Sequence, residues 1–127
     1  MNARLSLTIA AIVAGIFGLL MLAAPSQVLQ GFGTPAHVDG VVVSRDVGGL
    51  YVGLSILFWI ARSWPAGPAL HTVLLVGVIT QAISAATNAW AAATGTIGPA
   101  AWPGVGIHVG VAMVLLLALR GAGDAAV

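Results

Sequence analysis

Val41–Arg62 reads VVVSRDVGGLYVGLSILFWIAR. From Val47 to Ala61 it is unbroken by charge and closes on an arginine. At about 1.5 Å per residue, a helix over this stretch crosses a hydrocarbon core of about 30 Å. The alternation of a membrane strand is absent, so the stretch is expected to be a membrane-spanning helix. Its opening sets Arg45 beside Asp46 in otherwise apolar surroundings, and ionised groups at membrane depth are ordinarily kept for a purpose.

The rest of the chain repeats this pattern. Apolar segments over about Leu5–Ala24, Leu70–Ala93 and Trp102–Leu119 accompany the one at Val41–Ala61. Turn residues separate them: Pro25-Ser26 and Gly31-Phe32-Gly33-Thr34-Pro35, then Pro65-Ala66-Gly67-Pro68, then Gly95 and Gly98-Pro99. The 127 residues are 60% hydrophobic and 6% charged, with mean hydropathy +1.10. A soluble surface needs about a quarter to a third charged residues. The fold class is therefore all-α, an integral membrane four-helix transmembrane bundle forming one domain over residues 1–127. The first segment is expected to be retained, because its apolar run exceeds the about 7–15 residues of a signal core. With 17 glycines against 6% aromatics, close approach of small residues should dominate packing. The chain has no cysteine, which excludes disulfides and thiolate chemistry. The net charge of +1 offers no basic patch for nucleic acid.

Arg4, Arg62 and Arg120 fall at one end of the bundle, and Arg45 alone lies toward the other. The positive-inside rule then puts both termini in the cytoplasm of a multi-pass protein of the cell membrane. Counted from Arg62, Arg45 and Asp46 lie about 24–26 Å along their helix. Counted from His71, Gln81 is near the midplane and Asn88 about 25 Å up, with Ser84 and Thr87 between; counted from Arg120, His108 is about 18 Å up. Three helices thus raise polar side chains into one extracytoplasmic layer above an apolar cytoplasmic half. Facing follows from three- and four-residue spacing. Arg45, Gly49 and Gly53 form one stripe with G-x-x-x-G spacing, Gln81, Ala85 and Asn88 another. Gly106 and Gly110 flank His108, and Ala11, Ala14, Gly15 and Gly18 give the first helix a small-residue face.

Two readings are open for each polar group. Arg45 and Asp46 are either a helix-end pair, with arginine snorkelling to the headgroups, or an anion holder and a proton acceptor in an outward-opening cavity. His108 is either a hydrogen-bonded packing residue or a general acid/base oriented by Asp46 or Asn88. Gln81, Ser84, Thr87 and Asn88 are either interhelical glue or ligand contacts. Tyr51, Trp59, Trp64, Trp90 and Trp102 suit an interfacial belt, and Trp90 and Trp102 are also placed to roof a pocket. Metal binding is not expected, since the only carboxylates are Asp39, Asp46 and Asp124 and the histidines lie at three depths.

GIFGLLMLAAPSQVLQGFG (Gly15–Gly33), SRDVGGLYVGLSILFWIAR (Ser44–Arg62) and GPAAWPGVGIHVGVAMVLLLALR (Gly98–Arg120) together resemble the small four-helix membrane proteins of the DoxX-like superfamily, in particular a group of unknown function. The resemblance covers nearly the whole chain and rests on hydropathy, glycine placement and the polar-plus-Gly-Gly start of the second span. It implies a compact four-helix membrane bundle and carries over no catalytic residue. Where such relatives often have a carboxylate early in the last helix, this chain has His108.

The functional expectation is a pocket in the extracytoplasmic half for a small apolar or lipid-like molecule. Arg45, Asp46, Gln81, Asn88 and His108 would bound it, with Ser84, Tyr51 and Trp90 as further contacts. If the pocket is catalytic, the chemistry is proton transfer without a redox cofactor, of the isomerase, cyclase or epoxide-opening kind. Asp46 or His108 would be acid or base, and Arg45 would stabilise negative charge. The alternative is a non-catalytic accessory subunit, docking on a membrane-protein partner or a second copy through small-residue faces. Membrane lipid is the surrounding partner in either case.

Overall fold

A computed structural model describes residues 2–124 of the chain, with side chains described through Gly121; the Asp124 side chain lies outside these. Every regular element among the described residues is helical: α1 (Ala3–Ala23), α2 (Pro25–Gly31), α3 (Val38–Ala61), α4 (Pro68–Ala93) and α5 (Trp102–Asp124), with a 3-10 turn at Pro99–Ala101 before α5. Four helices are long and apolar enough to cross a membrane, by length and composition.

The ends follow from local chemistry. The Asn2 side chain accepts a hydrogen bond at 2.9 Å from the Arg4 backbone N–H, capping α1. Pro25 ends α1 and is also well suited to the first position of the next helix, so the stretch expected to be a turn continues as α2. Helix α3 starts three residues before the expected Val41, at Val38, and Asp39 in its first turn is favoured by the helix dipole. At the end of α4, Gly95 takes φ +73°. Thr96 N–H donates to the Ala91 carbonyl at 2.9 Å and Gly95 N–H to that of Ala92 at 3.3 Å, the paired bonds of a Schellman turn.

The long helices pack as two pairs. Helix α1 lies along α3 and α4 along α5; the pairs meet chiefly where α1 touches α5, while α3 and α4 make little direct contact. In the first pair, a Cβ added to Gly18 would stand 2.8 Å from the Gly48 carbonyl oxygen, and one added to Gly48 would stand 2.9 Å from that of Gly18. Lower on the same seam Ser55 Oγ donates to the Ala11 carbonyl at 2.7 Å. Such interhelical bonds in membranes contribute about 0.6 kcal/mol and rarely beyond about 1.7. Ser55→Ala should therefore lower the unfolding midpoint in detergent only slightly and leave the fold intact, as circular dichroism on heating would show.

Of the expected small-residue face of α1, Ala11, Ala14 and Gly18 are buried, and a Cβ on Gly15 would stand 2.9 Å from Ser55 Oγ in this seam. The expected stripe on the second span is corrected by one residue. Gly49 and Gly53 are exposed, and a Cβ on either meets nothing within 4 Å; Ser44, Gly48 and Ser55 carry the packing. The same openness holds for Gly106 and Gly110 on α5.

The buried core of Leu7, Ala10, Ala11, Phe58, Ala61, Leu70, Leu74, Val111, Leu115 and Ala118 occupies the end of the bundle that carries Arg4, Arg62 and Arg120. Phe58 reaches from α3 between the other pair, where a Cβ on Gly77 would come 3.1 Å from its Cζ and 2.9 Å from Leu115 Cδ1. The short connection from α3 to α4 keeps these helices together at that end. Farther along, the space between them opens into a cavity.

Candidate functional site

Above Phe58 the bundle holds a partly open cavity of about 190 Å³. Three helices supply the apolar walls: Val13, Ala14, Phe17 and Met21 from α1, Val47 from α3, and Gly104 and Ile107 from α5. Ala101 and Phe32 close the end away from the core. The two loops there are clasped, since Gly98 N–H donates to the Phe32 carbonyl at 2.8 Å. Gly33 at φ +72° has its Cα beside Gly98, and a Cβ on Gly98 would sit 3.3 Å from it. Glycine is needed on both sides of this contact, at Gly33 for the left-handed backbone and at Gly98 for the close approach.

Four polar side chains interrupt the apolar lining: Tyr51, Gln81, Asn88 and His108. His108 Nδ1 and Gln81 Oε1 are 2.6 Å apart, joining α5 to α4. The amide oxygen can only accept, so Nδ1 carries the hydrogen and Nε2 of the neutral ring keeps a lone pair. Gln81 is 4% exposed, yet its amide nitrogen has no hydrogen-bond partner among the described residues and is not sealed from the cavity. Asn88 lies two turns farther along the same face of α4, about 10 Å on. Tyr51 stands beside Ser84, bringing α3 and α4 together through polar groups where their apolar contact has ended. The site can thus offer a donor from Gln81, an acceptor on His108 and both kinds of group from Asn88 and Tyr51, all uncharged when His108 is neutral.

The structure divides the expected site residues. It brings Gln81, Asn88, His108 and Tyr51 to one cavity, whereas Ser84 stands beside Tyr51 and is not part of the lining. Arg45 and Asp46 are exposed and do not line it. The helical rotation explains this: Val47 and Tyr51 face the cavity, while Asp46 is turned from Val47 by about 100° and Arg45 by about 200°. Neither residue therefore stands with His108, and neither bounds the pocket as expected. Trp90 is 67% exposed and likewise outside the lining; the roof is Phe32 with Ala101, not Trp90 or Trp102. Phe32 is hard to single out from sequence because it lies in a glycine-rich loop that reads as a connection. The run Gly31-Phe32-Gly33, one aromatic between two glycines, was the available signal.

A second, shallower apolar groove runs outside the α1/α3 pair between Ile12, Ile16, Leu19, Ile56 and Trp59. Its one hydroxyl, Ser55, is already bonded to Ala11, so it has the character of a lipid-facing seam. Among the described residues no three His, Cys, Asp or Glu side chains come together in a way that could hold a metal ion. Comparison with protein-family models, with curated proteins and with solved structures finds no match to this chain.

Proposed function

We propose that this is a multi-pass membrane protein, both termini cytoplasmic, that holds one small, uncharged, largely apolar molecule in the extracytoplasmic half of its bundle. The observation that carries the reading is the His108–Gln81 pair, set in the wall of a mostly apolar cavity of about 190 Å³. A few convergent polar groups in a mostly apolar concavity are the usual form of a small-molecule site. An apolar cavity of about 150 Å³ is enough for benzene, so this one suits a single ring or a short branched hydrocarbon bearing a carbonyl or hydroxyl. No carboxylate or guanidinium lines the cavity, which favours a neutral ligand over an ion. Proton transfer to such a molecule would fall to His108 or to the Tyr51 hydroxyl, since neither Asp46 nor any other carboxylate lines the cavity. The resemblance to the DoxX-like superfamily supports a compact four-helix bundle of this kind, and the grouping of Arg4, Arg62 and Arg120 supports the orientation.

The test is to purify the protein from membranes in mild detergent and identify what it retains by mass spectrometry of an organic extract. A Cβ on Gly104 would make ordinary contact with Phe32 at 3.5 Å, so Gly104→Leu fills the cavity without breaking the polar pair. The parent protein should release a small neutral molecule in near-stoichiometric amount, and Gly104→Leu should release little or none while keeping its helical content. Identical extracts from the two would overturn the reading.

A further inference from the structure

The outward side of α3 has no function in the cavity, and its residues form a pattern that is complementary to itself. Val42, Gly49, Gly53 and Ile60 lie within about 40° of one another around the helix, directly away from α1 and the cavity. All four are exposed, and a Cβ on Gly49 or Gly53 meets open space. Arg45 is turned about 60° to one side of this line and Asp46 about 40° to the other, at nearly the same depth. Both are exposed, and among the described residues neither takes part in an ion pair. An ionised pair left facing lipid there is unfavourable, whereas the same groups paired across an interface are not.

We propose that this face of α3 is a homodimer interface, occupied by α3 of a second copy of the chain. Two copies inserted the same way are related by a twofold axis along the membrane normal, and such an interface presents the same surface from both sides. The rotation carries the Arg45 flank of one copy onto the Asp46 flank of the other. Two equivalent Arg45–Asp46 pairs then form, one on each side of the crossing point. One to two turns farther along α3, the Gly49-x-x-x-Gly53 groove lets the two backbones approach closely, as small-residue motifs do in membranes. An unrelated partner would need an acid and a base of its own at matching places, while a second copy supplies both automatically.

The chain has no cysteine, so single cysteines report proximity without a background. Gly49→Cys and Gly53→Cys should cross-link to a dimer on mild oxidation in native membranes, while Met113→Cys on α5, 58% exposed, should not. Arg45→Asp should reduce dimer association in detergent or nanodiscs by about tenfold or more, and Arg45→Asp combined with Asp46→Arg should restore it. Gly53→Leu should abolish the dimer yet keep the helical content and thermal midpoint of the monomer, because nothing in the same chain opposes the added side chain. The proposal is overturned by equal cross-linking at Met113, by failure of the double charge exchange to rescue, or by cross-linking of Gly49→Cys to a different protein instead of a second copy. None of these outcomes depends on a ligand in the cavity.

Discussion

Gly48→Leu is expected to leave the first helix pair unassembled. The contact it would invade is backbone against backbone. A Cβ at Gly48 would lie 2.9 Å from both the Gly18 carbonyl oxygen and Met21 Cβ, and the reciprocal one at Gly18 would lie 2.8 Å from the Val52 amide nitrogen. Overpacking costs about 1–3 kcal/mol where flexible side chains can move aside. Here relief requires α1 and α3 to part along their length. In lipid no water-driven term rewards burial, so helix association rests on the close van der Waals contact that this substitution removes. Unfolding in detergent, followed by circular dichroism, should show a protein without a cooperative transition, or with one shifted far down. Gly49→Leu, one residue on, meets nothing within 4 Å and should keep the parent fold. If Gly48→Leu melts with the parent, the α1/α3 seam is not where the structure puts it.

Gln81→Leu should weaken ligand retention by about tenfold or more. The substitution nearly conserves volume, but it removes the acceptor 2.6 Å from His108 Nδ1 and the amide donor beside it. A ligand oxygen that is buried facing the leucine instead of the Gln81 N–H is left without a partner, which costs about 1–3 kcal/mol, and about 1.4 kcal/mol is a factor of ten in affinity. The released ring can also rotate or change tautomer, so the lone pair on Nε2 is no longer aimed. Arg45→Gln and Asp46→Asn should bind as the parent does, since both residues lie outside the lining. Equilibrium binding of the co-purified molecule, with the dimer fraction recorded alongside, separates the two effects. Parent-like binding by Gln81→Leu, or loss of binding in Asp46→Asn, would remove the cavity reading.

Much of this was readable because water-insoluble composition leaves few alternatives. A chain this apolar must satisfy its backbone polar groups internally, and about twenty apolar residues between turn signals make a spanning helix whatever the neighbours are. Depth was readable for the same reason: a helix rises uniformly, so the level of Gln81, Asn88 and His108 follows from counting. The small-residue face of α1 could be found because Ala11, Ala14, Gly15 and Gly18 gather on one side of that helix. Azimuth on α3 was harder. Glycines stand at both 48 and 49, and the residues around them are apolar toward lipid and toward the core alike. Hydropathy therefore carries no period that separates inside from outside.

Composition and turn placement alone establish an all-helical chain with four spans, with the polar side chains of α4 and α5 at membrane depth gathered toward the end away from Arg4, Arg62 and Arg120. Only the tertiary structure decided which side of α3 meets α1, and with it that Gly48 packs while Gly49 lies open and that Arg45 and Asp46 face away from His108. It also decided that Phe32 folds back over the cavity. Length and hydropathy are properties of a segment in its solvent. Rotation about the helix axis is chosen by contacts with other helices, and in a bilayer, where both faces of a helix are equally apolar, those contacts leave almost no mark on the segment's own composition.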